Sequence, residues 1–127
     1  MQIPKDLEVL IVEDEKDICY LLSGILNKQE VRTACAANLF DAQKAIKINH
    51  PDIVFIDNQL PDGYGIDFIP LLKRDFPATK IIMMTAQDEL EVENKAYQLG
   101  ADYFIGKPFT QATVVNTLKC VLFTNPQ

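Results

Sequence analysis

The sequence predicts an α/β fold in which five βα units build one doubly wound parallel sheet with helices on both faces. Apolar runs at 9–12, 53–56, 81–84 and 103–105 are typical of parallel strands that are buried on both sides. Segments of helical period alternate with these runs, and no internal repeat or linker interrupts them. Right-handed crossovers then place helices on both faces. We expect a single domain over residues 1–127, with a core at about 7–123 and short tails.

The first half of the chain contains two predicted helices and a weaker strand. Apolar residues at helical spacing predict the inner face of the first helix: Ile18, Leu21, Leu22, Ile25 and Leu26. Residues 31–34 are a weaker strand candidate. Asn38 is predicted to cap the start of a second helix, and this helix is predicted to end at residues 50–52. The inner face of this helix carries Ala42, Ala45 and Ile46.

Three further helices are predicted in the second half. Turn-forming residues at 61–65 lead into the third helix, and Pro70 lies near its first turn or kinks it. The fourth helix is expected to stop at Gly100, which suits a left-handed C-terminal cap. Thr110 is predicted to cap the fifth. The apolar positions of these helices are Phe68, Ile69, Leu72, Phe76; Leu90, Val92, Ala96, Leu99; and Val114, Leu118, Val121, Leu122.

Composition excludes several classes of protein. With 48% apolar and 24% charged residues, the chain has the balance of a globular domain, and its length predicts no separate output module. No apolar run approaches a membrane span and no signal peptide is recognisable, so we expect a cytoplasmic protein without membrane association. A net charge of -6 disfavours direct nucleic-acid binding. Cys19, Cys35 and Cys120 are widely spaced, which indicates neither a disulfide framework nor a zinc site, and we expect them to be buried or half-buried.

Polar residues follow four of the predicted strands. Glu13 and Asp14 follow the first strand, and Asp57, Thr85 and Lys107 follow the runs that end at 56, 84 and 105. Because ligands bind outside the carboxyl ends of parallel strands, we expect these side chains to share one cleft. Carboxylates about 4 Å apart repel by about 4 kcal/mol at an effective dielectric constant of about 20, so a cation is expected among them. Oxygen ligands suit Mg²⁺, with Asp14 and Asp57 as direct ligands and Glu13 holding a metal-bound water.

The same residues indicate phosphate chemistry. Asp57 is the best candidate for a nucleophile that forms an acyl phosphate, since a carboxylate requires no general base. Lys107 and Thr85 would donate hydrogen bonds to phosphoryl oxygens. Taken singly, Glu13, Asp14 and Thr85 have a simpler interpretation as helix caps and Lys107 as a solvated surface charge, whereas Asp57 alone fits a turn acid as well as a nucleophile. The conjunction of complementary groups at four strand ends favours the phosphate interpretation.

Four segments, at 10–15, 57–65, 84–86 and 100–109, resemble in order and spacing the receiver domain of bacterial two-component response regulators. The resemblance covers nearly the whole chain. It implies the flavodoxin-like strand order 2-1-3-4-5. It also implies that Asp57 accepts a phosphoryl group from a phosphohistidine on a histidine kinase or a histidine phosphotransfer protein.

The resemblance assigns further roles to the residues of the cleft. It implies that Mg²⁺ is bound by Asp14, Asp57 and the backbone carbonyl of Gln59. Glu13, Thr85 and Lys107 match the family's supporting positions. Asn58, Gln59 and Gln87 occupy positions that tune hydrolysis of the acyl phosphate.

The resemblance also implies a conformational switch and a cis peptide bond between Lys107 and Pro108. In the family, phosphorylation draws the threonine hydroxyl inward, and an aromatic residue three positions before the lysine follows it. These positions are Thr85 and Phe104 here, and the remodelled face belongs to the fourth helix, the fifth strand and the fifth helix. Partners implied by this mechanism are a kinase or phosphotransfer protein and a downstream effector domain or protein, and a phosphorylation-dependent dimer is compatible with it.

Three other classes of function compete with this switch. A phosphatase of the haloacid-dehalogenase type also uses an aspartate nucleophile and Mg²⁺, but it needs a second aspartate where this chain has Gln59. A docking module that keeps the fold without being phosphorylated is the remaining alternative. A dinucleotide-binding domain would need a glycine-rich turn after the first strand, which is absent. We therefore expect no enzymatic activity beyond self-catalysed phosphoryl transfer and autodephosphorylation.

Overall fold

The structure, a computed structural model, describes residues 3–86 and 90–123. Its strands are β1 (Glu8–Val12), β2 (Arg32–Ala36), β3 (Ile53–Asp57), β4 (Gln59–Leu60), β5 (Gly63–Tyr64), β6 (Lys80–Ala86) and β7 (Tyr103–Lys107). Its helices are α1 (Lys16–Asn27), α2 (Leu39–Asn49), α3 (Gly65–Asp75), α4 (Leu90–Leu99) and α5 (Gln111–Phe123). Within the described ranges, the helices are all too short or too polar to cross a bilayer.

The main sheet has five strands in the order β2-β1-β3-β6-β7, and every neighbouring pair is parallel. Counted along the chain, these strands are the first to the fifth of the sheet, so the order 2-1-3-4-5 is confirmed. β4 and β5 form a separate antiparallel hairpin between β3 and α3. The sequence predicted only a turn in this region, and the hairpin flanks that turn.

The core consists of two layers, one on each face of the sheet. Side chains alternate between the faces along a strand, so Val9 and Ile11 of β1 pack in one layer and Leu10 and Val12 in the other. Helices α1 and α5 cover the first layer, and α2, α3 and α4 cover the second. Burial on both faces explains the continuous apolar sequences of β1, β3 and β6.

The predicted helix ends are confirmed by local hydrogen bonds and backbone angles. The Asn38 side chain accepts a hydrogen bond from the Asp41 amide at 2.7 Å, and α2 ends at His50 in the left-handed region. Thr110 Oγ1 accepts from the Thr113 amide at 3.1 Å at the start of α5. Gly100 ends α4 with a φ of +118°. These caps satisfy backbone groups that a helix end leaves without partners.

Helix α1 departs from the prediction in two respects. Leu21, predicted on the inner face, is 52% exposed, whereas Cys19 is only 7% exposed. The buried face of α1 is therefore rotated toward Cys19, which faces the edge strand β2.

The cysteine prediction was wrong, because Cys19 and Cys35 of β2 form a disulfide with their Cα atoms 6.5 Å apart. Cys35 and Cys120 are exposed rather than buried or half-buried.

We expect Gly65→Ala to lower the free energy of unfolding by about 1–3 kcal/mol, the usual effect of overpacking. A Cβ atom at Gly65 would overlap the carbonyl oxygen of Asp57, because the start of α3 lies directly against the end of β3. Gly24→Ala in α1 is the matched control, since a Cβ there meets nothing within 4 Å. The free energy of unfolding of this control should rise by up to about 1 kcal/mol, because alanine has a higher helix propensity than glycine. Urea unfolding of both variants checks the prediction, and effects of the same sign would contradict it.

Candidate phosphoacceptor site

Three carboxylates meet at the carboxyl edge of the sheet. One oxygen each from Glu13, Asp14 and Asp57 lie within 4.8 Å of one another. Glu13 follows β1, and its amide donates a 2.9 Å hydrogen bond to the Ala36 carbonyl of β2. Asp57 is the last residue of β3 and is 7% exposed, while Asp14 is exposed to solvent. The loop after β1 thus brings a buried and a solvated acid to the side of Asp57.

Lys107 provides the positive charge that balances this cluster. Its Nζ donates to Glu13 Oε1 at 2.5 Å and lies 3.2 Å from Asp57 Oδ1. The peptide bond between Lys107 and Pro108 is cis, as the resemblance to receiver domains implies. Register pairing places β7 beside β6, so the lysine enters the cleft from the strand next to Thr85. A primary ammonium in this position can hold a negatively charged group against Asp57.

Burial and charge shift the protonation of the three central groups. Burial raises the pKa of Glu13 and Asp57 above their ordinary values, and the hydrogen bonds and charge of Lys107 only partly oppose the rise. Burial lowers the pKa of Lys107, but its contacts with Glu13 and Asp57 outweigh this and leave the pKa raised. Lys107 therefore stays a cation. The pKa values of Glu13 and of Asp57 remain raised despite its charge, so a further positive charge nearby would stabilise their ionised forms.

In metal-free protein, Asp57→Asn is expected to increase stability more at about pH 7 than at about pH 4. The pKa of Asp57 in the folded state is raised above its ordinary value of 3.8. Stability linked to such a group is fully present below the ordinary pKa and is lost as the pH rises through the raised value. Asparagine does not titrate, so the stability difference between variant and wild type should grow over that window. Urea unfolding in the presence of a chelator measures it, and a difference independent of pH would contradict the raised pKa.

The segment after Asp57 is fixed by hydrogen bonds at both ends. The Asn58 amide donates to the Met84 carbonyl, and its side-chain oxygen accepts from the Ile66 amide at 3.1 Å at the start of α3. Asn58 is buried, so its side chain supports α3. Asp62, in the turn of the hairpin, accepts from the amides of Leu39 and Phe40 at 2.8 and 3.0 Å. Sequence reasoning missed this role of Asp62, which joins the hairpin to the first turn of α2.

A cavity of about 310 Å³ opens above Asp57. Residues at or just after the carboxyl ends of four strands, β1, β3, β6 and β7, line it: Asp14, Glu15, Asp57, Gln59, Thr85, Ala86 and Lys107. Among the described residues, the cavity is lined by all the predicted site residues except Glu13, Asn58 and Phe104. Glu13 lies behind it with a fully buried side chain, and Phe104 is half-buried against the second core layer. Glu15 and Ala86 are additional lining residues, and Gln87 falls outside the described residues.

The donor set fits a hard divalent cation. Asp14 and Asp57 present carboxylate oxygens to the cavity, which Gln59 also lines. The raised pKa of Asp57 shows that burial disfavours its ionised form, which a cation would stabilise. Oxygen ligands of this kind suit Mg²⁺ better than softer metals.

The fold and the cleft together define a class of protein: a flavodoxin-like (βα)₅ domain with a buried aspartate, a lysine and a threonine at the carboxyl edge of its sheet. Residues 9–119 match the family model described as the response regulator receiver domain. The chain therefore belongs to the response regulator receiver family of two-component signal transduction.

Relatives and solved structures agree with this assignment. The chain is 33% identical over 116 residues to the phosphate regulon transcriptional regulatory protein PhoB of Klebsiella pneumoniae, covering 90% of this chain and 51% of that protein. It is 33% identical over 102 residues to sporulation initiation phosphotransferase F of Bacillus subtilis, covering 80% and 82%. The structure matches the receiver domain of NtrX from Brucella abortus with a TM-score of 0.87, 29% identity and 92% and 99% coverage. The chain spans about half the length of PhoB, so it compares with only part of that relative.

Proposed function

We propose that the chain is the phosphoacceptor switch of a two-component phosphorelay and that Asp57 is the acceptor. The observation that carries the proposal is the position of Asp57, whose Oδ1 lies 3.2 Å from Lys107 Nζ beside a cluster of carboxylates. This arrangement offers a nucleophile, a cation site and a donor to phosphoryl oxygens in one cavity. A docking module would not need these groups together.

The proposed reaction uses the Asp57 carboxylate as nucleophile. One of its oxygens attacks the phosphorus of a phosphohistidine on the donor, an O–P bond forms, and the P–N bond breaks. The imidazole of the donor leaves with the electron pair of the P–N bond. Lys107 and the hydroxyl of Thr85 donate hydrogen bonds to phosphoryl oxygens, which stabilises charge in the transition state and in the acyl phosphate. Hydrolysis of the acyl phosphate returns the free carboxylate.

Asp14, Asp57 and the backbone carbonyl of Gln59 are the proposed ligands of Mg²⁺, with Glu13 in support. Bound Mg²⁺ neutralises charge on the transferring phosphoryl group. The Glu13 carboxylate already accepts hydrogen bonds from Lys107 and from the Glu15 amide at 3.2 Å. Its support is therefore to position the lysine and the loop that carries Asp14.

The output of the switch is proposed to run through Thr85 and Phe104 to the face formed by α4, β7 and α5. Thr85 is 2% exposed at the end of β6 and is paired in register with Gly106 of β7. Phe104 is paired with Met83 on the same two strands, and it packs half-buried against the second core layer, as Val92 and Leu99 of α4 also do. A movement of Thr85 toward a phosphoryl group would open space along β7 for the ring. Two conformations that differ in partner affinity would follow.

The proposal includes partners and a location. A histidine kinase or histidine phosphotransfer protein would donate the phosphoryl group in the cytoplasm. A downstream effector domain or protein would bind the α4-β7-α5 face. The same face could form a phosphorylation-dependent dimer. A net charge of -6 argues against direct binding of nucleic acid by this domain. No catalytic activity is proposed beyond self-catalysed phosphoryl transfer and autodephosphorylation.

Intact mass spectrometry tests the proposal. The protein is incubated with a small-molecule acyl phosphate and Mg²⁺, beside a sample in which a chelator replaces the metal. We expect the mass of one added phosphoryl group with the metal and none without it. A folded protein that gains no mass in either sample would favour the docking-module alternative.

A further inference from the structure

The disulfide between Cys19 and Cys35 lies next to the acidic loop of the phosphoacceptor site. Cys19 is on α1 and Cys35 is on β2, the edge strand of the sheet, at a sequence separation of 16. Cys19 is 7% exposed, whereas Cys35 is exposed to solvent. A small thiol or disulfide therefore reaches the bond at Cys35, and the two cysteines remain neighbours because the packing of α1 on the core holds them together.

Hydrogen bonds join both ends of the disulfide to the loop of residues 13–15. The Cys19 amide donates to the Glu15 carbonyl at 3.1 Å, at the start of α1. On the other side, Ala36 follows Cys35 directly and accepts the Glu13 amide at 2.9 Å. The loop itself is closed by the Glu15 amide, which donates to Glu13 Oε2 at 3.2 Å. The covalent bond thus fixes the distance between the two supports of the loop that carries Asp14.

Ser23 supplies a polar contact to the exposed sulfur. Its Oγ lies 3.7 Å from Cys35 Sγ. Because a disulfide sulfur carries no proton, the hydroxyl is the donor in the oxidised state. The same hydroxyl can donate to the Cys35 sulfur after the bond is cut, and the thiolate is the form that takes part in thiol exchange.

We propose that Cys19 and Cys35 form a reversible thiol–disulfide modification site whose state sets the affinity of the acidic loop for a divalent cation. The effect on the loop rests on the proposed function, whereas the exchange chemistry does not. A cytoplasmic disulfide is usually transient or redox-sensing, which agrees with a reversible bond at an exposed position.

The proposed exchange partners are a low-molecular-weight disulfide and its thiol. In oxidation, one cysteine thiolate attacks the small disulfide, a mixed disulfide forms, and one small thiol leaves. The second cysteine thiolate then displaces the second small thiol, so two cysteine thiols become one disulfide and one small disulfide becomes two thiols. Reduction reverses these steps, with attack at Cys35 and Cys19 as the leaving thiolate.

The test uses Cys120→Ser protein, because Cys120 is an exposed free cysteine that would complicate thiol counting. Samples are equilibrated with mixtures of a small disulfide and its thiol, alkylated and weighed by intact mass spectrometry. We expect no alkylated thiols in oxidising mixtures, both thiols alkylated in reducing ones, and full reversal between them. Two alkylated thiols in every mixture would overturn the proposal.

Calorimetric Mg²⁺ titration of the oxidised and reduced forms tests the coupling without any assay of phosphorylation. We expect reduction to weaken Mg²⁺ binding by about 5-fold or more, the lower range of coupling between linked sites. A Cys19→Ser, Cys35→Ser variant in the same background should bind Mg²⁺ with the affinity of the reduced form. This affinity should not depend on the redox mixture. Equal affinities in the oxidised and reduced forms of Cys120→Ser protein would overturn the inference alone, whereas failure of both forms to bind Mg²⁺ would overturn it together with the proposed function.

Discussion

Replacing Asp57 with asparagine is expected to abolish phosphoryl incorporation completely. The amide oxygen is a poor nucleophile and cannot form the acyl phosphate, while the fold should persist because asparagine keeps the size of the buried side chain. The raised pKa of Asp57 also means that its ionised form is disfavoured by burial, so the variant should unfold no more easily than wild type at neutral pH. Intact mass after treatment with an acyl phosphate and Mg²⁺ measures the effect.

The matched control is Asp75→Asn, which removes one negative charge at the exposed end of α3, away from the carboxyl edge of the sheet. It should be phosphorylated like wild type. Phosphorylation of the Asp57 variant at the wild-type level would assign the acceptor to another residue.

Removal of Lys107 should have the second largest effect. Its ammonium contacts Asp57 and Glu13, and it lines the cavity in which a phosphoryl group would lie. Loss of a single preorganised donor to a transition-state oxygen typically slows a reaction by about 10²–10³-fold. We expect Lys107→Ala to slow phosphorylation by about this factor. The measurement is the initial rate of phosphoryl incorporation at saturating Mg²⁺.

Two further observations make the Lys107 experiment decisive. Lys119→Ala removes an exposed lysine from α5 and should leave the rate unchanged. The pKa of Glu13 and of Asp57 should rise further in Lys107→Ala, since the hydrogen bonds and charge of Lys107 lower both. A wild-type rate in Lys107→Ala would remove the lysine from the mechanism.

Most of the fold follows from local sequence because its central strands are buried on both faces. β1, β3 and β6 read as unbroken apolar runs, and such runs admit few other interpretations. β2 is an edge strand with exposed residues, so its sequence carries a weaker signal. The predicted strand at 31–34 accordingly differs from the observed Arg32–Ala36.

The sequence patterns did not predict two of the long-range contacts. The spacing of Cys19 and Cys35 does not predict a disulfide between a helix and a strand. Asp62 binds the start of α2 across 23 residues, and its place in a turn suggested only a turn role. The cluster of Glu13, Asp14, Asp57 and Lys107 could be predicted because parallel strands deliver their carboxyl ends to one edge.

Reductive trapping of the phosphorylated protein tests the central claim most directly. Borohydride reduces an aspartyl phosphate to homoserine, and peptide mass spectrometry then identifies the modified position. We predict homoserine at position 57 in protein treated with an acyl phosphate and Mg²⁺, and none in untreated protein. Homoserine at another aspartate, or phosphate retained on a residue that borohydride does not reduce, would contradict the assignment of Asp57 as the phosphoacceptor.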